Sequence, residues 1–207
     1  QCIAVEHPSR LYVTDDFIVT HNTLAAVIFD NFVSGRRRAL WLSVSRTLKD
    51  AAAADLAALG ADMEIASVSD FAPDSAVPEF DGVLFSTYST MIAKSKSGRA
   101  RLDQITSWLG PEPVIVIDEC HKGKNAVPAG AGEPTQTGRA LIELQERIPA
   151  ARIVYSSATG ATEIRNMAYA SRLGLWGEGT SFPAGFGEFL AELATGGVAA
   201  MEMLSRD

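Results

Sequence analysis

The chain has 207 residues, of which 47% are hydrophobic and 21% are charged, so we expect an ordinary globular protein with one main domain. The net charge of -7 excludes a uniformly basic surface, and any nucleic-acid contact must therefore be local. The two cysteines, Cys2 and Cys120, and three histidines fall into no zinc-ligand spacing. No apolar run approaches the roughly 18 residues of a membrane span, and we expect a cytoplasmic protein with reduced thiols.

The first 22 residues differ in pattern from the rest of the chain. Short strand-like runs at 2–5, 11–13 and 17–19 predict a small all-β segment. From Thr23 onward the pattern becomes helical and then alternates between helix and strand. The chain opens on Gln1 and closes on Asp207 without an obvious end to the fold, so we expect a fragment cut at both ends.

The alternating part predicts an α/β fold with a parallel sheet and flanking helices. Strands are predicted at 39–44, 64–68, 82–87, 114–117 and 152–156. Apolar residues at helical spacing predict helices beginning at Thr23 and passing through Leu48, Leu102, Leu141, Ile164 with Met167 and Ala168, and residues 185–193. The Phe stripe of the last helix is predicted to be core, and residues 122–134 are predicted to be a loop.

Four branched apolar residues at 114–117 run directly into Asp118, Glu119, Cys120 and His121. Such a run suits a central strand of a parallel sheet, and ligands collect at the carboxyl ends of such strands. In a nucleoside triphosphatase the first carboxylate of a pair like this holds Mg²⁺, and the second activates the attacking water. The alternative is a strand that simply ends in solvated acids.

Hydroxyl side chains follow two further strands. Residues 156–160 follow one strand, and residues 86–90, with Thr87 and Tyr88, follow another. Hydroxyls at these positions are candidates to contact the phosphates of a nucleotide or a nucleic acid, although each alone is also typical of a turn. The charge run of Arg36, Arg37 and Arg38 is interpreted as a solvated turn before a strand rather than a nucleic-acid patch.

The residues from Asp118 to His121 resemble motif II, the Walker B element, of superfamily 2 helicases, and Ser157, Ala158 and Thr159 resemble their motif III. Segments 118–125, 138–145, 154–160 and 165–179 are similar to the strawberry notch helicase-like family, and the likeness runs from about Thr23 to the end. It implies a first RecA-like (P-loop NTPase) domain over 23–180, followed by a helical continuation over 181–207.

The same resemblance implies the chemistry. It assigns Mg²⁺ coordination to Asp118 and water activation to Glu119, with ATP and Mg²⁺ as ligands. It assigns to His121 and the motif III residues Ser157, Ala158 and Thr159 the coupling of hydrolysis to movement on nucleic acid. The implied partners are DNA or RNA and a second RecA-like domain that this chain lacks.

A RecA-like domain needs a phosphate loop, G-x-x-x-x-G-K-[ST], before its first helix, where free amides and the helix dipole favour phosphate. No intact copy is present. Residues 129–135 imitate the glycine spacing but carry Glu133 where the lysine is required. The correct position for the loop is the turn that leads into Thr23.

Residues 11–23 resemble the C-terminal end of an intein followed by its first extein residue, with the splice junction between Asn22 and Thr23. In this interpretation the intein interrupts the phosphate loop between its Lys and Thr23, which binds Mg²⁺ after splicing. Thr23 accepts the upstream chain as an ester, Asn22 cyclises and cuts the Asn22–Thr23 bond, and His21 moves the proton. The N-terminal part of the intein is a further missing partner.

Two alternatives remain open. His21-Asn22-Thr23 is also compatible with an ordinary loop in which Asn22 caps a helix. The domain is also compatible with a non-enzymatic nucleic-acid or regulatory scaffold with a vestigial ATPase site, residues 1–22 then being host sequence. Because both the phosphate loop and the intein are truncated, we expect the 207-residue chain alone neither to splice nor to hydrolyse ATP efficiently.

Overall fold

The computed structural model describes residues 21–127, 133–157 and 166–204. The predicted β segment therefore lies outside the described residues except for His21 and Asn22. The elements, in chain order, are α1 (His21–Val33), β1 (Arg38–Ser43), α2 (Leu48–Ala58), β2 (Glu64–Ser67), β3 (Gly82–Thr87), α3 (Tyr88–Met91), α4 (Arg101–Leu109), β4 (Val114–Asp118), α5 (Gln136–Arg147), β5 (Arg152–Ser156) and α6 (Phe186–Leu204). All five strands coincide with their predicted positions to within a residue.

The five strands form one parallel sheet in the order β2-β3-β1-β4-β5. At its centre Leu40 of β1 lies between Leu84 of β3 and Ile115 of β4. The predicted α/β architecture is therefore confirmed. Because every strand points the same way, all five carboxyl ends meet at one edge of the sheet.

Successive strand residues point to opposite faces, which divides the core into two clusters. On one face Leu40, Leu42 and Ile117 pack with the apolar sides of α4 and α5. On the other face Trp41, Phe85 and the strand residues beside them pack with α1 and α2. β3 and β4 are buried along their whole length, which explains why 114–117 is continuously apolar rather than alternating.

The segment after β5 differs from its prediction. Met167 has no regular secondary structure and Ala168 lies in a turn, so neither is in the predicted helix, and Ile164 lies outside the described residues. Gln145 of α5, itself 1% exposed, donates a 2.7 Å hydrogen bond to the backbone carbonyl of Tyr169. This buried contact holds the segment in an irregular conformation that local periodicity does not indicate.

Two boundaries also change. The predicted loop 122–134 begins inside a 3-10 turn, Cys120–Gly123, that directly follows the acidic pair. The last helix, predicted over 185–193, continues to Leu204. Of the Phe stripe, Phe189 is 1% exposed and packs against the Trp176 ring at 5.2 Å, so it belongs to the core, whereas Phe186 is only partly buried.

The three consecutive arginines have structural contacts at the opposite edge of the sheet. Arg36 donates to the carbonyls of Glu112 and Ala150, and Arg38 lies over the Trp108 ring at 5.4 Å. These contacts tie neighbouring loops together, in agreement with the interpretation of a turn rather than a nucleic-acid patch. Among the described residues, no helix has the length and apolarity to cross a membrane.

Candidate functional site

All five strands end in a polar side chain at the carboxyl edge of the sheet, and four of these strands lie side by side in the order β3-β1-β4-β5. In the sheet register Ser43 pairs with Thr87, and Asp118 pairs with Ser156. The sequence placed three of these residues at this edge and overlooked Ser43. A single serine that ends an otherwise apolar strand, next to the strand with the acidic pair, is the signal that could have identified it.

Asp118 is 6% exposed, and its carboxylate is held from the side by Ser43. The Ser43 hydroxyl, which is fully buried, donates a 2.8 Å hydrogen bond to Asp118 Oδ2. Within the described part of the chain no hydrogen bond reaches the other oxygen, Oδ1. The carboxylate is therefore fixed through one oxygen while the second remains for a ligand.

Glu119 occupies a left-handed backbone conformation, with φ 53° and ψ 47°. Only Glu119 and Asn125 have positive φ among the described non-glycine residues. A glutamate in this region is strained, and strain of this kind concentrates where the surrounding structure fixes a functional residue. The corner ends β4 and lets the chain turn into Cys120–Gly123.

The Glu119 side chain is 34% exposed, but one oxygen of its carboxylate is buried. Its Oε2 is buried and has no hydrogen-bond partner within the described residues, although His121 Nδ1 lies 3.2 Å away. His121 Nδ1 is close enough to Glu119 Oε2 for an ion pair, but the angle between the two groups does not meet the geometry of a hydrogen bond. An unsatisfied buried carboxylate oxygen is costly, and it is a site where a water molecule could be held.

His121 connects the end of β4 to the end of β5. Its Nδ1 lies 3.0 Å from the Ser157 hydroxyl, so the imidazole contacts both Glu119 and the residue that follows β5. The structure thus brings together three residues that the sequence assigned to motifs II and III. Ala158 and Thr159 lie outside the described residues.

Thr87 and Tyr88, predicted to contact nucleic acid, are 5% and 7% exposed. The Thr87 hydroxyl caps α3 by accepting from the Thr90 amide at 3.1 Å. The Tyr88 hydroxyl donates a 2.6 Å hydrogen bond to the backbone carbonyl of Asp118. Both hydroxyls form hydrogen bonds inside the protein, which does not favour a direct contact with a phosphate backbone. That contact stays a prediction.

Thr23 lies in the first turn of α1 and is half-buried. The last turn of the helix is held at the start of β5, where Arg152 donates to Asn31 Oδ1 at 2.6 Å. The 13 residues of α1 span about 18 Å, similar to the length of a strand. The helix therefore runs antiparallel to the sheet, and Thr23 lies toward the carboxyl edge, as Asp118 does.

The other two residues of the predicted splice junction, His21 and Asn22, precede Thr23 in the same helix. Both His21 and Asn22 belong to α1, so the helix begins two residues before its predicted start, and Asn22 is not its N-cap.

The loop that imitates a phosphate loop is described only from Glu133 onward. Glu133 pairs with Arg139 at 3.0 Å, and both side chains are exposed.

The residues at this edge fit a magnesium nucleotide. Asp118 offers a free carboxylate oxygen, and Glu119 Oε2 offers a buried acceptor close to it in sequence. The described residues contain no group of three or more Asp, Glu, His or Cys side chains that could hold a metal by themselves. Mg²⁺ takes one or two protein carboxylates and completes its shell with water and phosphate, and Asp118 would supply such a carboxylate.

Cys120 has no reactive character. Burial raises the pKa of its thiol, and the hydrogen bond from the Tyr169 hydroxyl at 3.4 Å only partly opposes that shift. A raised pKa keeps the sulfur protonated at neutral pH, and a thiol is a poor nucleophile. Cys120 therefore packs beneath the acidic corner rather than taking part in chemistry.

A parallel α/β sheet whose central strand ends in a buried Asp followed by Glu, with a hydroxyl-bearing helix start at the same edge, defines a P-loop nucleoside triphosphatase domain. Residues 20–207 match the family model described as P-loop containing NTP hydrolase pore-1, and the chain belongs to that family.

Three relatives show the type within that family. The chain is 45% identical over 197 residues to Protein strawberry notch of Drosophila melanogaster, covering 89% of this chain and 12% of the relative. It is 44% identical over 192 residues to Protein FORGETTER 1 of Arabidopsis thaliana (89% and 15%) and 48% identical over 196 residues to Protein strawberry notch homolog 2 of Homo sapiens (89% and 13%). The domain is therefore of strawberry notch type, and it spans only a small part of the length of these relatives.

Proposed function

We propose that residues 23–180 are the first RecA-like domain of a helicase-like ATPase that couples ATP hydrolysis to nucleic acid, with residues 181–207 as its helical continuation. In this function Asp118 holds Mg²⁺ and Glu119 is the general base for the attacking water. The observation that carries the proposal is the buried Glu119 Oε2, which lacks a hydrogen-bond donor within the described chain. A bound water would supply that donor and would be activated by the same oxygen.

Mg²⁺ supplies charge neutralisation of the phosphates when it is bound. The protein's own contribution is orientation. Ser43 fixes one oxygen of Asp118 so that the other points toward the ligand, and the left-handed corner separates the directions of Asp118 and Glu119. Two adjacent carboxylates thereby serve two roles.

His121 and Ser157 are proposed to carry the coupling. Because His121 lies 3.2 Å from Glu119, a shift of the Glu119 carboxylate would move the imidazole. The imidazole lies 3.0 Å from the Ser157 hydroxyl, so Ser157 would move in turn. Ser157 follows β5 directly, so the segment with Ala158 and Thr159 would respond. Movement on DNA or RNA requires such a path from the hydrolysis site to the second RecA-like domain.

Substitution of Glu119 by Gln tests the enzymatic role. In the spliced full-length protein, Glu119→Gln should abolish nucleic-acid-stimulated phosphate release and leave ATP binding intact, because the amide keeps the shape and loses the base. Glu112→Gln, at an exposed acid before β4, is the matched control and should turn over like the parent. Equal turnover by Glu119→Gln and the parent would remove the enzymatic proposal and favour a scaffold with a vestigial site.

We further propose that residues 1–22 are the end of an intein, spliced out between Asn22 and Thr23. The relatives cover 89% of the 207 residues, about 184, which leaves a segment of about the length of 1–22 unmatched. The family match begins at residue 20, close to the proposed junction. After splicing, Thr23 would follow the Gly-Lys of the phosphate loop and would open α1 as its Mg²⁺-binding hydroxyl.

The coding sequence upstream gives the first test of the intein. It should contain a Gly-Lys followed by a Cys or Ser that begins the intein, and continuous helicase sequence there would contradict the proposal. On the protein, Asn22→Ala in a complete precursor should block release of the product that begins with Thr23, because the amide that cyclises is gone. Unchanged cleavage at this bond would exclude Asn22 from the reaction.

A further inference from the structure

Tyr88 contacts the backbone of the acidic pair rather than its carboxylates. It is the first residue of α3, directly after β3, and its hydroxyl donates a 2.6 Å hydrogen bond to the carbonyl of Asp118. That carbonyl belongs to the peptide that joins Asp118 to Glu119. A donor on this oxygen fixes the plane of the peptide from which the left-handed corner begins.

The corner needs an external restraint. Left-handed backbone is unfavourable for a residue with a Cβ, so Glu119 would relax toward an ordinary conformation if its neighbours allowed it. Downstream, the turn is held by hydrogen bonds from the Lys122 amide to the Glu119 carbonyl at 3.0 Å and from the Lys124 amide to the His121 carbonyl at 3.1 Å. Upstream, the side-chain hydrogen bond that reaches this peptide is that of Tyr88.

We propose that Tyr88 is a positioning residue that locks the Asp118–Glu119 peptide and so aims the Glu119 carboxylate. The inference rests on the proposed function, in which Glu119 is the base. It gives Tyr88 a role inside the ATPase site that the predicted nucleic-acid contact does not include.

The hydroxyl of Tyr88 is suited to a permanent lock. The side chain is 7% exposed, so water has little access to compete for its hydrogen bond to the Asp118 carbonyl. Its ring is packed in the cluster that contains Met91 and Ile117, so loss of the hydroxyl alone leaves the packing in place.

Hydrogen–deuterium exchange tests the lock without any nucleotide. In the spliced full-length protein without ATP, Tyr88→Phe should speed exchange of the amides in 119–124 by about fivefold, the effect of losing one hydrogen bond. Tyr155→Phe is the matched control, because the half-buried Tyr155 hydroxyl bonds to Gln145 and not to Asp118. The control should leave exchange in 119–124 unchanged.

Kinetics provide the second measurement. Tyr88→Phe should lower kcat for ATP about tenfold and leave KM within about twofold, because a misaimed base slows chemistry without weakening binding. Glu119→Gly supplies a second background in which the corner is no longer strained. There Tyr88→Phe should speed exchange of 119–124 much less than in the parent, because the lock has no strain left to oppose.

The outcomes separate this inference from the proposed function. Faster exchange with lower kcat supports both. If exchange is faster in Tyr88→Phe than in the parent but the parent does not hydrolyse ATP, the lock is supported and the proposed function is wrong. Unchanged exchange in Tyr88→Phe overturns the lock whatever happens to kcat, as does an equal effect of Tyr88→Phe in the parent and Glu119→Gly backgrounds.

Discussion

Ser43 and Asp118 end two neighbouring strands and satisfy each other: the serine hydroxyl donates to Asp118 Oδ2 at 2.8 Å. The register that pairs Leu42 with Ile117 makes this contact inevitable, since the next residue on each strand is the polar one. Burying either group alone would cost free energy. The pair therefore allows a carboxylate to lie 6% exposed at the end of an apolar strand.

Replacing Ser43 by Ala should lower the free energy of unfolding by about 1–3 kcal/mol, because a buried charged acceptor loses its donor. In the full-length ATPase that we propose, the same change should raise the Mg²⁺ concentration needed for half-maximal turnover, since Asp118 is less well oriented. Urea denaturation and a Mg²⁺ titration measure the two effects. Ser45→Ala, which removes an exposed hydrogen bond to Thr47, is the control and should change neither. If Ser43→Ala has the same free energy of unfolding as the parent, the hydrogen bond between Ser43 and Asp118 does not stabilise the fold.

Glu119→Gly should stabilise the fold by about 0.5–1 kcal/mol while it removes the base, because glycine accepts a positive φ that glutamate resists. Asn125→Gly is the control, since Asn125 has φ 60° but asparagine tolerates the left-handed region. Its stability should change by only a few tenths of a kcal/mol. Chemical denaturation of both variants measures the difference, and a destabilised Glu119→Gly would mean that the corner is not strained.

The sequence was a good guide wherever a feature depended on neighbouring residues along the chain. The run 114–117 identified the central strand, and the acids behind it identified the edge of the sheet where the polar residues gather. The resemblance to helicases also placed His121 and Ser157 in motifs that the structure brings within 3.0 Å. Strand parity and the carboxyl-edge rule are local enough to be read from spacing.

What the sequence missed depends on contacts between distant elements. The inward use of Tyr88 depends on the order of the strands, because β1 lies between β3 and β4 and the Tyr88 hydroxyl reaches past it to the Asp118 carbonyl. No spacing along the chain encodes that contact. Met167 and Ala168 have helical periodicity, but the Gln145 side chain of α5 donates a hydrogen bond to the backbone carbonyl of Tyr169, the next residue. In both cases a single buried side-chain hydrogen bond outweighs the local preference.

The stability of the domain should fall at high pH partly through Tyr155. Burial raises the pKa of Tyr155 to about 12, from an ordinary value of 10.0. A folded pKa above the unfolded one means that the stabilisation is complete below pH 10 and is lost as the pH rises toward 12.

Tyr155→Phe cannot titrate, so its stability deficit relative to the parent should shrink by about 2 kcal/mol between pH 9 and pH 12. Urea denaturation of both proteins across this range measures the change. Absorbance at the wavelength of the phenolate gives an independent pKa. A deficit that stays constant with pH would mean that Tyr155 ionises equally in the folded and unfolded states.

Gly138 should tolerate no side chain, because α5 there touches the turn that follows the acidic corner. A Cβ on Gly138 would lie 2.6 Å from Ala126 Cα and 2.9 Å from the Gly123 carbonyl oxygen, and backbone atoms cannot swing aside. Gly138→Ala should therefore lower the free energy of unfolding by about 1–3 kcal/mol, even though alanine favours a helix. It should also slow ATP turnover in the spliced protein, since the turn that moves carries His121.

Gly187→Ala provides the matched control in another helix. Gly187 lies in α6 with no atom within 4 Å of the added Cβ, so the same substitution should be neutral or stabilise by about 0.5 kcal/mol. Thermal and urea denaturation of the two variants isolate the steric contact from helix propensity, which acts in the same direction in both. Equal stability of the two variants would mean that α5 can move away from Gly123 at no cost, and the position of the acidic corner would then not depend on this helix.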